Sequence, residues 1–208
     1  MNFGRMGPFL TATPINGLTV VGFNTLSANS VGTINKPTGT QAGDIVVIMS
    51  WANDSTGVWS IPSGFTDLQA GVGTNLGVAM KVAGGSEPST YTLSNAGTYC
   101  GLLCATFRGP TAFDAVGTYT FSSAASSITA PAVTAVAPGS FLIGCFAAGG
   151  NVNFSTPSGM TAVGRSTDPA AGMFYQQLTA TGSTGTRTTT PSASGYDMGA
   201  LMFTLKPA

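Results

Sequence analysis

The sequence repeats itself, and the repeat constrains the fold more than any other feature. Ile61-Pro62-Ser63-Gly64-Phe65-Thr66 returns 95 residues later as Thr156-Pro157-Ser158-Gly159-Met160-Thr161. Gly43-Asp44-Ile45-Val46-Val47-Ile48-Met49 returns 96 residues later as Gly139-Ser140-Phe141-Leu142-Ile143-Gly144-Cys145. The run from Tyr99 to Arg108 is matched by Tyr196 to Lys206, which sets Lys206 opposite Arg108 at a spacing of 98. Upstream, Val21-Gly22 matches Val116-Gly117, and Ile34 and Pro37 match Ile128 and Pro131. The order is kept and the spacing drifts by only a few residues. From residue 17 onward the 208-residue chain is therefore two copies of one unit.

Each copy reads as a string of short β segments. In the first they fall near Thr19–Asn24, Gly32–Asn35, Asp44–Trp51, Thr66–Val72, Gly77–Ala83, Thr90–Ser94 and Tyr99–Arg108. Gly, Pro, Asn and Ser clusters separate them, as at Pro37-Thr38-Gly39 and Gly84-Gly85-Ser86-Glu87-Pro88. No stretch sustains a 3.6-residue apolar period, so no long helix is expected. Asp44–Met49 and Gly101–Phe107 are continuous apolar runs. Such runs are strands covered on both sides, or strands at the contact between the copies. The expected fold is an all-β antiparallel sandwich, jelly-roll-like and internally duplicated. The copies span 17–110 and 111–208, as tandem lobes or merged into one sandwich. Residues 1–16 fall outside the repeat and read as an arm that orders on a partner or neighbouring subunit. Phe3, Arg5, Met6, Phe9 and Leu10 are its candidate contact residues.

Composition excludes several chemistries. Only 7% of residues are charged, seven basic and seven acidic, and there is no histidine. Ser-His, Cys-His and His-metal mechanisms are closed to this chain acting alone. The scattered basic residues make no patch for nucleic acid. No apolar run is long enough to cross a membrane as a helix. The N-terminal stretch, broken by Pro8 and Pro14, is a poor signal peptide, which implies synthesis without general secretory export. Cys100 and Cys104 lie four residues apart on one strand, too far to bridge. The cysteines read as small buried hydrophobes, with a pairing of Cys145 to either left open.

Candidate sites are few. Asn53, Asp54 and Ser55 form the most polar loop of the first copy, flanked by Trp51 and Trp59. A sugar site would use those rings and amide or carboxylate oxygens. The competing reading is a hairpin loop with Trp side chains in the core. One Asp is too few for a calcium cage. Glycoside hydrolysis needs two carboxylates flanking a cleft, and no motif pairs Asp54, Asp67, Glu87 or Asp114. No catalytic residue, metal ligand or cofactor site is expected.

One set of residues carries a resemblance. Gly43-Asp44-Ile45-Val46-Val47, Pro62-Ser63-Gly64-Phe65-Thr66, Val82-Ala83-Gly84-Gly85-Ser86-Glu87-Pro88-Ser89-Thr90-Tyr91-Thr92 and Ala105-Thr106-Phe107-Arg108-Gly109 occur in that order. The set resembles a module of tailed-bacteriophage and prophage virion proteins. Phe65 stands where that family usually has Trp. Gly182-Ser183-Thr184-Gly185-Thr186-Arg187 and the final apolar strand resemble the same family's C-terminal half. The resemblance implies a non-enzymatic virion surface component: a capsid decoration, head-spike or tail-fibre protein. Its partners would be its own copies and other virion proteins, on a particle assembled in the host cytoplasm. The alternative is a carbohydrate-binding adhesin module that recognises host surface glycans through Trp51, Asn53, Asp54 and Trp59.

Overall fold

The apolar runs Asp44–Met49 and Gly101–Phe107 leave no polar face for water, and both become strands buried on two sides. The chain is known from a computed structural model, which describes residues 17–28, 31–52, 60–69, 75–94 and 99–208. The described residues form an all-β structure without helix.

The first copy contributes β1 (Thr19–Ala28), β2 (Val31–Asn35), β3 (Ile45–Ala52), β4 (Thr66–Gln69), β5 (Leu76–Val82), β6 (Thr90–Ser94) and β7 (Cys100–Arg108). All seven segments expected from sequence contain strands, with shifted ends; residues 70–72 of the fourth lie outside the described residues. The second copy contributes β8 (Ala112–Val116), β9 (Thr120–Ala125), β10 (Ile128–Ala130), β11 (Thr134–Ala135), β12 (Phe141–Ala148) and β13 (Thr161–Thr167). It continues with β14 (Ala170–Gln177), β15 (Gly182–Ser183), β16 (Arg187–Thr189) and β17 (Tyr196–Lys206).

The duplication extends to the pairing. The first large sheet runs β1-β7-β3-β5-β4. The second runs β13-β14-β12-β17-β8, with β9 also on β17, which is the same order read backwards. All these pairs are antiparallel. Two bulges recur as well. One leaves Val21 unpaired on β1 and Asp114 unpaired on β8, which corrects the sequence match by two residues: Val21-Gly22 corresponds to Asp114-Ala115 and not to Val116-Gly117. The other leaves Leu68 unpaired on β4 and Val163 unpaired on β13. The Pro-Ser-Gly turns recur in conformation. Gly64 and Gly159 take φ of 83° and 77°, and the Phe65 and Met160 amides donate to the Pro62 and Pro157 carbonyls at 3.2 and 3.1 Å. A positive φ at the third turn position is the type II geometry that favours Gly.

Period-two alternation sorts the side chains into layers. Ile45, Val47, Met49 and Trp51 of β3 share one core with Ile143 and Cys145 of β12 and Phe203 of β17. Their neighbours Val46 and Ile48 face the other way, onto Ile34, Tyr91 and Leu93 of the small β2-β6 sheet. In the second copy Leu142 and Phe146 pack outward on Ile128, Val133 and Phe154, beneath the β10-β16 pair. The large sheets thus form the two inner layers, with β2-β6 over the outer face of the first copy and β10-β16 over that of the second. Both readings of the apolar runs hold at once: one alternate set meets the other copy and the other set is covered locally. Each buried Leu, Ile or Phe in such a layer contributes about 1.5–3 kcal/mol. Cys100, Cys104 and Cys145 are free and buried. Cys104 faces the first copy's small sheet and Cys145 the shared core, so the pairing left open by sequence does not form.

Candidate functional site

The edges where the two large sheets meet are built from equivalent strands but not from equivalent side chains. Register identifies the equivalents. Phe23 pairs with Ala105 and Val116 with Phe203, positions 98 apart in the repeat. On the facing edges, Gly164 and Gln69 are equivalent, each following its bulge on β13 or β4.

At the first edge, β1 lies against β13. The ring of Phe23 covers Gly164, where an added Cβ would sit only 2.5 Å from Phe23 Cδ2. Ser27 Oγ donates to the Asp168 carbonyl alongside. The Pro169 carbonyl approaches Gly101 so closely that a Cβ there would lie 2.8 Å from it. Glycines at 101 and 164 make this seam tight.

At the second edge Val116 stands at the place of Phe23 and Gln69 at that of Gly164, while Phe113 stands at the place of Val20, so the ring sits elsewhere along the edge. A groove of about 400 Å³ stays open between Thr66–Leu68 of β4, Met80–Val82 of β5 and Ala112, Phe113 and Val116 of β8. Its apolar side chains are partly exposed: Val82 is 50% exposed, Val116 43% and Phe113 37%. Lys81 is already engaged, with Nζ 2.8 Å from Glu87 Oε1. Asp67 lines the groove, its Oδ1 accepting the Gln69 amide at 3.1 Å, and has no ion pair among the described residues. Burial raises its pKa, and the Gln69 amide opposes that rise. The groove offers no nucleophile with a base to activate it. Among the described residues no cluster of three or more Cys, Asp or Glu is placed to hold a metal.

The sequence-derived glycan residues do not assemble there. Trp51 is fully buried in the shared core, a correction to its reading as a sugar platform. Its ring lies over Gly199, where an added Cβ would be 2.6 Å from Cζ3. A ring without an exposed face cannot stack on a sugar. Asn53, Asp54 and Trp59 lie outside the described residues, as do Phe3, Arg5, Met6, Phe9 and Leu10 of the arm. Sequence reading missed Phe113 and Val116. Aligning the copies strand by strand would have flagged them as apolar residues on an edge strand.

No family model and no curated protein matches the sequence. A solved complex of BuGH86E322Q with neoagarooctaose aligns over 91% of this chain at 12% identity and a TM-score of 0.24. The chain spans 34% of that protein's length. A likeness at that score carries no argument about fold or activity.

Proposed function

We propose that the chain is a non-enzymatic bacteriophage virion structural protein, of the capsid decoration, head-spike or tail-fibre type, that oligomerises on the particle surface. The observation that carries this reading is where the motif residues fall. Gly43-Asp44, Pro62-Ser63-Gly64, Glu87 and Arg108-Gly109 sit in turns and at strand ends that hold a duplicated scaffold together, not around a reactive centre. Asp44 and Glu87 are both spent on internal ion pairs. A scaffold of this kind acts by contact. Phe23, Phe121 and Val136, at 45, 44 and 63% exposed, add apolar surface outside the groove for such contacts. Low charge removes repulsion between closely packed copies.

The test is mass spectrometry and imaging of purified particles from a host carrying the coding sequence in its phage genome. The chain is expected at a fixed copy number and at one symmetric position. Its absence from intact particles overturns the reading. The glycan-adhesin alternative has lost Trp51, and its other residues, Asn53, Asp54 and Trp59, lie outside the described residues.

A further inference from the structure

We infer that residues 1–16 of the same chain dock in the open groove between β4, β5 and β8, with Arg5 beside Asp67. This inference is independent of the virion reading. It starts from the unequal seams. The closed seam shows what such an edge requires, an apolar side chain laid across it. The open seam carries its ring at Phe113, the counterpart of Val20, instead of at the counterpart of Phe23, and faces Gln69 where the closed seam has Gly164; about 400 Å³ stays open beside Val82, Phe113 and Val116.

The chain supplies an occupant of matching chemistry. Residues 1–16 contain Phe3, Met6, Phe9, Leu10 and Ile15, and Arg5 is their only charged side chain. Asp67 is the one groove acid, and the one groove cation, Lys81, is held by Glu87. The arm's single charge therefore meets its complement.

The tether also fits. β1 begins at Thr19, paired with Arg108, and Leu18 packs against the shared core. Ile45 pairs with Phe107 on one side and Val82 on the other, so the start of β1 and the groove share one end of the sheet. Four strand spacings separate β1 from β4, about 19 Å at 4.8 Å each. Sixteen extended residues reach about 50 Å. A tethered segment within reach also has a high effective concentration.

The test is disulfide trapping in the full chain. Phe3→Cys, Met6→Cys, Phe9→Cys and Leu10→Cys are each combined with Val82→Cys in the groove or with Phe121→Cys. Position 121 is also exposed, but it pairs with Gly199 toward the far end of β17. The native thiols are buried and do not compete. At least one arm position is expected to trap to residue 82 about tenfold faster or more than to residue 121, within a monomer. Arg5→Asp should slow that trapping, and Arg5→Asp with Asp67→Arg should restore it. Phe113→Val and Val116→Phe with Gln69→Gly copies the closed seam at these three positions and should also slow it. Equal rates at 82 and 121 for every arm position overturn the inference. A dimer band in place of the intramolecular product overturns it too, because the arm then belongs to a second copy's groove. Neither result bears on whether the chain is found in particles.

Discussion

Arg108 grips Asp44 with two parallel hydrogen bonds, from Nε to Oδ1 and from Nη2 to Oδ2, both 2.9 Å long. The pair ties the end of β7 to the turn before β3. The carboxylate also accepts the Gln41 amide at 2.8 Å, and Arg108 Nη2 donates to the Gly39 carbonyl at 2.9 Å. The second copy solves the same corner differently. Ser140 stands in the place of Asp44 and donates to the Ala137 carbonyl at 2.8 Å and to Asp114 at 3.2 Å. Asp114, the bulged residue of β8, also accepts Thr204 Oγ1 at 3.1 Å. Lys206, opposite Arg108 in the repeat, is exposed.

Loss of Asp44 should therefore cost more than loss of Arg108, because the buried carboxylate serves both the Gln41 amide and the guanidinium. Asp44→Ala is expected to lower unfolding free energy by about 1–3 kcal/mol. Arg108→Ala should cost less, and Arg108→Lys should not fully replace the fork. Lys206→Ala should stay within about 0.5 kcal/mol of the parent. Urea unfolding measures all four, and an equal loss at 108 and 206 would contradict the assignment.

Two glycines in close contacts should respond differently to the same methyl group. At Gly199 an added Cβ meets the buried Trp51 ring at 2.6 Å and Tyr119 at 3.1 Å, with nowhere for the indole to go. Gly199→Ala is expected to cost about 1–3 kcal/mol by overpacking. At Gly164 the neighbour is Phe23, 45% exposed and able to swing outward, so Gly164→Ala should cost less. Thermal unfolding of the two variants gives the comparison. Trp51→Ala should be worse than either, about 3–5 kcal/mol.

All three thiols should be silent in the folded protein. Burial pushes Cys100, Cys104 and Cys145 above the ordinary thiol value of 9.0. Burial also raises Tyr119 to about 12, opposed by the nearby Asn75 backbone and helped by the charge of Asp197. The folded state holds these groups neutral where the unfolded chain would ionise them. Their contribution is complete below the unfolded thiol value and is lost as pH rises above it. A thiol reagent should modify no cysteine in native buffer and three after denaturation. Stability should fall above about pH 9, and Cys104→Ala with Cys145→Ala should flatten that slope.

An acid limb should come from Glu87. Burial works against its charge, but Lys81, the Gly84 amide and Tyr91 donate to it and hold its pKa below the usual 4.5. A lowered carboxyl stabilises the fold above its unfolded value and loses that contribution as pH falls through the folded one. Stability should therefore decline below about pH 4.5, and Glu87→Gln should weaken that dependence. An unchanged acid slope in the variant would rule the residue out as its source.

Much of the scaffold is legible without coordinates because its signals are local. An apolar run such as Ile45–Met49 declares a covered strand, and Pro62-Ser63-Gly64 declares a turn that needs positive φ. The candidate site was not legible in the same way. Trp51 beside a polar loop has the local marks of a binding aromatic, yet its strand parity points it into the shared core against Gly199.

The sequence by itself determined the duplication, the strand-and-turn content and the absence of histidine chemistry, since each depends on residue identity over a short span. Only the tertiary structure decided that the two large sheets share a core, and that one seam closes while its equivalent stays open. Those outcomes turn on pairs such as Phe23 with Gly164, far apart in the chain. Sheet packing brings them together, and the two edges differ in where the ring sits, Phe23 or Phe113, and in whether Gly164 or Gln69 faces it.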